Sequence, residues 1–391
     1  MTLNDVQEWL YACSHCGTCK EILQIFLPSC PAGERFKQES YFPSGQLFLA
    51  RGIFEGTLSL EDDDTRYRLY SCTGCLSCQV QCGVYHRQHI FDIVQALRTE
   101  AVTQGYLNPA YMVMFESLRR EDNVFGKPKS ERGDWAEGLD VKDASKETVD
   151  VLYHAGCMLS FEPELWEVPR SVMSIMKAAG VDVGIMGKEE TCCGGRSYEI
   201  GYLGEFTKYA EHCIETFNSI GVNKVITSCS DGYATIRMLY PQINTEMKFQ
   251  VQHVSEYLEQ LIKEGKIKLT KELPMKVTYH DPCHLGRHLS EDGIYDPPRE
   301  VLNSIPGIEL VEMERNRENS WCCGAGAGVS QSNPEYAMWT ANERLKEAEA
   351  TGATALVTSC PWCEKNFKDA VKEYGLNIEI YDIAEIVSKS I

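Results

Sequence analysis

The chain has 391 residues, room for two to four domains at about 100–200 residues each. Hydrophobic residues are 43% and aromatics 10%, which excludes global disorder, and a formal charge of −19 argues against nucleic acid as a partner because it repels phosphate backbones. No apolar run approaches the roughly 18–20 residues that cross a bilayer, so no direct membrane span is expected. The opening Met1-Thr2-Leu3-Asn4-Asp5 lacks the basic and apolar regions of a signal peptide. A cytoplasmic protein is expected, membrane-associated only through a partner.

The chain carries 18 cysteines. A disulfide scaffold would be far shorter, and thiols in a reducing compartment stay reduced unless a metal holds them. Residues 2–12 read as a short amphipathic helix leading into cysteine clusters at 13–30 and 72–82. Ile90, Ile93, Val94 and Leu97 recur at the spacing of one helix face within residues 84–104. Residues 107–148 bring Pro109, Gly126-Lys127-Pro128 and many charges, and read as a linker or an arm that wraps a neighbour. From 149 onward strand-like and helical segments alternate. Val149–Tyr153, a helix near 164–179, Val181–Ile185, a helix at 203–219 and Lys224–Thr227 predict an α/β layer with a mostly parallel sheet.

That pattern repeats. Tyr153-His154-Ala155-Gly156-Cys157 matches Tyr279-His280-Asp281-Pro282-Cys283, Cys192-Cys193-Gly194 matches Cys322-Cys323-Gly324, and Val225–Cys229 matches Leu356–Cys360, at offsets of 126, 130 and 131 residues. Two copies of one unit stand in tandem. In an open α/β sheet the ligand crevice lies at the carboxyl ends of the strands, so each unit should gather its thiolates on one rim.

The first cysteine constellation is Cys13-x2-Cys16-x2-Cys19 with Cys30-Pro31 after it, and Cys72-x2-Cys75-x2-Cys78-x3-Cys82. Three specified positions are all cysteine by chance roughly once in ten thousand trials at this composition. Soft thiolates at this spacing suit iron–sulfur cubes, in which the fourth cysteine of a run ligates the other cluster. Cys13, Cys16 and Cys19 therefore pair with Cys82, and Cys72, Cys75 and Cys78 with Cys30. Triplets spaced two and two are unlike the paired Cys-x2-Cys of zinc ribbons, which disfavours two zinc sites. The long insertion and the helical periodicity after Cys82 favour a helical two-cluster ferredoxin.

The second constellation is Cys283, Cys322-Cys323-Gly324, Cys360 and Cys363. Adjacent cysteines suit two irons of one cluster, with the glycine letting the backbone approach. These five cysteines, the stretch His280-Asp281-Pro282-Cys283-His284-Leu285-Gly286-Arg287-His288, Pro298-Arg299 and Ile305-Pro306-Gly307 resemble the cysteine-rich CCG domain of heterodisulfide reductase catalytic subunits and related iron–sulfur oxidoreductases. The resemblance covers nearly the whole chain. It implies an α+β multi-domain protein: an all-α helical dicluster ferredoxin domain at 1–106, a linker at 107–148, and tandem α/β CCG domains at 149–270 and 271–391. It also implies a noncubane [4Fe-4S] cluster on the complete five-cysteine repeat, where disulfides are reduced.

The first repeat departs from the pattern. It keeps Cys157, Cys192, Cys193 and Cys229, but Gly232 stands where the fifth cysteine belongs. Four thiolates suffice for a further [4Fe-4S] cubane, with Asp231 as a candidate helper; the alternative is a degenerate repeat kept as scaffold. Seventeen cysteines are thereby used. The last, Cys213, lies in the 203–219 helix and reads as a small buried hydrophobe. His280, with His284 and His288 around Cys283 and His154 beside Cys157, suggests proton delivery or hydrogen bonds to cluster sulfur, against ordinary capping and exposure. Arg287 suits an anionic substrate or a partner's carboxylate. Gly324-x-Gly326-x-Gly328 lacks the strand and helix context of a dinucleotide site.

The expected function is an iron–sulfur electron-transfer component of an anaerobic multi-protein redox complex, similar to heterodisulfide reductase. Electrons pass from two cubane clusters to a catalytic set of Cys283, Cys322, Cys323, Cys360, Cys363 and His280. The expected partners are flavoprotein, ferredoxin-like or cytochrome-type subunits in a hetero-oligomer. Two alternatives stand beside it. One is the iron–sulfur subunit of a flavin-linked lactate, glycolate or glycerol-3-phosphate dehydrogenase or of an oxidoreductase linked to electron-transfer flavoprotein. The other is a pure wire in an acyl-CoA-reducing complex.

Overall fold

A computed structural model describes residues 1–243 and 245–391. The N-terminal part is helical. Pro31–Phe36, Pro43–Phe54, Asp63–Tyr70, Ser77–Gln81 and Ile90–Thr103 are α-helices, and a two-residue hairpin, β1 (Glu21–Ile22) with β2 (Leu27–Pro28), is the strand content among these residues. The helix expected over residues 2–12 shrinks to Gln7–Leu10. Ahead of it, Asp5 Oδ2 accepts from Thr2 N at 2.6 Å, a local side-chain bond that closes a turn where the helix would begin.

Residues 107–148 are more than a linker. Asn108 caps Ala110 N at 2.9 Å and Pro109 opens a helix to Glu121. Tyr111, Met114, Phe115 and Leu118, one helix face, are buried. The segment then wraps its own chain: Trp135 and Arg132 are buried, and β3 (Lys142–Asp143) joins the first repeat's sheet.

The repeats fold as parallel sheets. In the first, β4 (Val151–Tyr153), β5 (Val183–Ile185), β6 (Lys224–Thr227) and β7 (Gln250–His253) lie in the order β3-β5-β4-β6-β7. In the second, β8 (Met275–Tyr279), β9 (Ile308–Val311), β10 (Ala355–Thr358) and β11 (Glu379–Asp382) lie in the order β9-β8-β10-β11. Every pair is parallel. The four shared strands have one order in both sheets, and β3 is an added edge. The central strands Val151-Leu152-Tyr153 and Ala355-Leu356-Val357-Thr358 are buried throughout, as layers covered on both faces require.

The two repeats share one apolar core. Tyr153, Val172, Ile175 and Leu258 of the first meet Tyr279, Val301, Leu302 and Ile386 of the second. Helix Glu167–Ala178 packs on Ile383–Ser390, and Val254–Lys263 on Asp296–Asn303. These pairs are reciprocal under the repeat, the arrangement of a two-fold interface closed within one chain. Equivalent capping boxes, His253 with Glu256 and Asp382 with Glu385, start the last helix of each repeat.

The ferredoxin part is locked onto both repeats. Arg98, fully buried, donates to Glu199 O at 2.8 Å and to Cys72 O at 2.7 Å. Arg287 donates to Cys75 O at 2.6 Å, Glu318 O at 3.0 Å and Ser320 O at 2.7 Å. Nε and Nη1 of Arg287 thus join two domains, while its Nη2 is buried without a partner among the described residues.

Candidate metal centres

The expected quartets come together in space. The Cys19 thiol is pushed up to about 11 by burial, with Cys13, Cys82 and Cys16 as charged neighbours. Burial raises Cys82 too, beside Cys16 and Cys13. In the second quartet, Cys30 and Cys78 are raised well above the ordinary range by burial and by the thiols of Cys72 and Cys75. One cavity is lined by Cys30, Cys72, Cys75 and Cys78 together with Gly74 and Ser77. All 18 cysteines are free thiols. In the second quartet, buried thiols raised by burial and proximity and gathered around a hollow are a donor set that suits a thiophilic iron cluster.

The quartets form a sequence. Cys19 bears on both Cys30 and Cys78, so the first quartet adjoins the second. Cys75 is raised chiefly by Cys322 beside it, and Cys75, Cys283 and Cys322 form one buried cluster. The second quartet therefore abuts the second repeat. Cys16 is exposed and marks the surface end.

Within the second repeat Cys283 and Cys360 follow the strands β8 and β10, and Cys322 and Cys323 lie in a loop. Cys360 is the N-cap of Pro361–Tyr374, whose first-turn amides favour a thiolate. Cys363 lies one turn on. The Cys323 and Cys363 sulfurs and a ring nitrogen of His280 lie within 4.8 Å of one another, all buried. His280 accepts from Arg344 Nε at Nδ1, 3.2 Å away, and burial lowers it to about 3, leaving a neutral ring with its proton on Nε2. That nitrogen is buried without a partner among the described residues. It is a free donor on a ring that stands beside the thiolate set.

The glycine of the CCG motif is fixed by geometry. Gly324 has φ +92°, and a Cβ there would lie 2.5 Å from Ala337 O. Its amide donates to Cys322 Sγ at 3.3 Å. Gly194 repeats this at φ +79°, donating to Cys192 Sγ at 3.4 Å. A side chain at Gly324 would collide with Ala337 O, and one at Gly194 would press on Tyr209 Cβ at 3.2 Å and Phe206 O at 3.3 Å.

The first repeat brings its four cysteines into a file. Cys157 is raised chiefly by Cys192, and Cys192 adjoins Cys193. Cys229 bears on Cys193 but is raised chiefly by Cys360 of the other repeat. A Cβ built on Gly232 would stand 3.7 Å from Cys229 Sγ and 3.9 Å from Cys193 Sγ. The place of the missing fifth thiolate thus faces the set. Asp231 bears on Cys229, and its carboxylate also pairs with Arg196 at 3.4 Å and stands 3.9 Å from His284.

Several residues escaped the sequence reading. Arg132, from the presumed linker, donates to Cys157 Sγ at 3.4 Å and to Glu190 Oε1 at 3.0 Å. Glu199 pairs with His284 at 3.0 Å and with Arg196 at 2.9 Å. Burial alone would lower His284, but Asp231 and Glu199 raise it to about 9. These partners are remote in sequence and carry no spacing signal. His284 and His288 stack at 3.8 Å, and His288 Nε2 lies 2.7 Å from Gly74 O. Both line a cavity of about 210 Å³ between the ferredoxin part and the two repeats. His154 is buried against Glu190 at 3.4 Å. Cys213 lies in the first repeat's apolar core, its sulfur 3.4 Å from Thr191 Oγ1 and its thiol donating to Cys192 O at 3.5 Å.

A family model described as a cysteine-rich domain matches residues 151–237 and again 277–368, and one described as a 4Fe-4S dicluster domain matches residues 8–85. A subunit of the dihydromethanophenazine:CoB–CoM heterodisulfide reductase from Methanosarcina mazei is 32% identical over 98% of this chain and 94% of that one. The EtfAB:quinone oxidoreductase of Syntrophomonas wolfei is 31% identical over 82% of this chain and 46% of its own length. A hypothetical protein from Helicobacter pylori shares the fold, with a TM-score of 0.57 at 10% identity over 89% of this chain and 68% of that one. No helix among the described residues is long and apolar enough to cross a membrane. By cysteine pattern, sheet topology and similarity over its length, the chain belongs to the family of that heterodisulfide reductase component, and it is an iron–sulfur electron-transfer subunit of a redox complex.

Proposed function

We propose that the chain carries electrons from a surface cluster to a disulfide-reducing centre in its second repeat. Cys13, Cys16, Cys19 and Cys82 hold one cubane, and Cys72, Cys75, Cys78 and Cys30 a second. Cys283, Cys322, Cys323, Cys360 and Cys363 hold a noncubane [4Fe-4S] centre, and Cys157, Cys192, Cys193 and Cys229 a further cubane. When bound, the clusters supply one-electron transfer at potentials set by charge, burial and hydrogen bonds to sulfur. The observation that carries the reading is the continuous order of thiols from exposed Cys16 through Cys19, the second quartet and Cys75 to Cys322.

The protein's residues set the conditions. Arg287 fixes the Cys75 loop against the second repeat, holding the two thiolate sets together. The amides of Gly324 and Gly194 stabilise the thiolates they face. His280, oriented by Arg344, presents a donor to the Cys323–Cys363 side. Reduction of a disulfide to two thiols takes two electrons and two protons. The cavity at His284 and His288 lies beside this centre, on the route a substrate or proton would use. Membrane association, where it occurs, comes through a partner protein.

The similarity to EtfAB:quinone oxidoreductase favours a second reading, in which the same file carries current from a flavoprotein partner. Two variants test the proposal. Anaerobic Cys323→Ser should lose disulfide cleavage with reduced viologen while the cubanes still accept electrons. Cys75→Ser should block electron supply from the partner and spare a reductant that reaches the second repeat directly. Iron should be about sixteen per chain, or about twelve with an empty first repeat, at four per cluster. Full turnover by Cys323→Ser, or stoichiometric zinc in place of iron, would refute the reading.

A further inference from the structure

Tyr336 belongs to no cysteine motif, yet it stands between two thiolate sets. It lies in the first turn of Pro334–Ala350, where Asn333 Oδ1 accepts from its amide at 3.2 Å. Its ring packs with Phe36, centroids 5.3 Å apart, and Cys30 packs against the same apolar cluster. The side chain is 1% exposed, and its hydroxyl finds no hydrogen-bond partner among the described residues. The ligand thiols that bear on that hydroxyl are Cys30, Cys322, Cys72 and Cys75. Three belong to the second ferredoxin quartet and one to the second repeat.

A buried phenol normally has a partner, because leaving the group unpaired forfeits its hydration with nothing in return. The groups that would fill this gap are sulfurs. We propose that the Tyr336 hydroxyl donates a hydrogen bond to a sulfur of the centre held by Cys30, Cys72, Cys75 and Cys78 or of the adjoining one at Cys322. It is a positioning residue at the junction where electrons leave the ferredoxin part. A donor to cluster sulfur favours the more negative, reduced state, so Tyr336 raises the potential of the centre it touches. A phenol keeps its proton at neutral pH, so the group is a donor.

The proposal rests on the cluster assignment above, and the experiment separates the two. Tyr336→Phe removes the oxygen and keeps the ring. Anaerobic holoprotein is titrated potentiometrically with electron paramagnetic detection, and exchangeable deuterons near each centre are read by double resonance in D2O. One centre should fall in potential enough to change its reduced-to-oxidised ratio tenfold at fixed poise, about 59 mV for one electron. One exchangeable coupling should vanish, with iron and sulfide unchanged. Tyr111→Phe is the control: Tyr111 is equally buried, but its hydroxyl bonds Ser332 Oγ at 2.9 Å. Unshifted potentials in Tyr336→Phe, or an equal shift in Tyr111→Phe, overturn this proposal alone. Wild-type protein without clusters overturns the assignment and the proposal together.

Discussion

Replacing Gly324 by alanine tests whether the third letter of the CCG motif is dictated by geometry. Two costs add. The residue sits at φ +92°, where a side chain costs about 1–2 kcal/mol. The new Cβ would also lie 2.5 Å from Ala337 O and 2.9 Å from Thr340 Cβ. Ala337 O is pinned, since it accepts from Asn366 Nδ2 at 3.1 Å, and the same nitrogen holds Cys323 O at 2.6 Å. Relief would break a buried bond at the ligand loop, and overpacking of this kind costs about 1–3 kcal/mol. The sum is about 2–5 kcal/mol, a fall of about 4–20 °C at roughly 2–4 °C per kcal/mol. Gly221→Ala is the matched control. It has φ +78° and nothing within 4 Å of a Cβ, so only the backbone cost of about 1–2 kcal/mol applies. Anaerobic thermal unfolding at one scan rate, followed by fluorescence and by cluster absorbance, compares the two. Melting of Gly324→Ala within about 2 °C of Gly221→Ala would show that the steric argument is wrong.

Gly232→Cys supplies the fifth thiol of the first repeat at ordinary contact distances from Cys229 and Cys193. It should fold with an unchanged or slightly higher melting temperature, because glycine inside a helix costs about 0.5–1 kcal/mol. It should also alter the paramagnetic signal of that repeat, whereas an identical spectrum and iron content would mark the repeat as scaffold. Cys213→Ser should keep every iron and lose about 1–3 kcal/mol, the cost of a hydroxyl in an apolar site partly offset by Thr191. Loss of a whole cluster's iron in that variant would show that Cys213 is a ligand.

The inventory was legible in the sequence. Short Cys-x2-Cys-x2-Cys runs marked the two ferredoxin quartets, and the internal repeat, rather than close spacing, marked the five-cysteine set and its incomplete four-cysteine counterpart. The internal offsets revealed the duplicated α/β unit, and the alternation of apolar strands with amphipathic helices revealed its parallel sheets. The helix of residues 109–121 was legible too, in Asn108-Pro109 and the face Tyr111, Met114, Phe115 and Leu118, but the charges around it drew the reading towards a linker. Tertiary structure alone decided what stands beside what. Spacing gives no hint that Cys75 meets Cys322, that Cys229 meets Cys360, or that Arg132 reaches Cys157. Nor does it show that Nε and Nη1 of Arg287 hold three carbonyls of two other segments. The physical reason is one of range. Local pattern records what a residue does to its own helix, strand or loop, whereas the order of the thiolate sets and the gap at the Tyr336 hydroxyl arise from surfaces that meet only when the three units pack together.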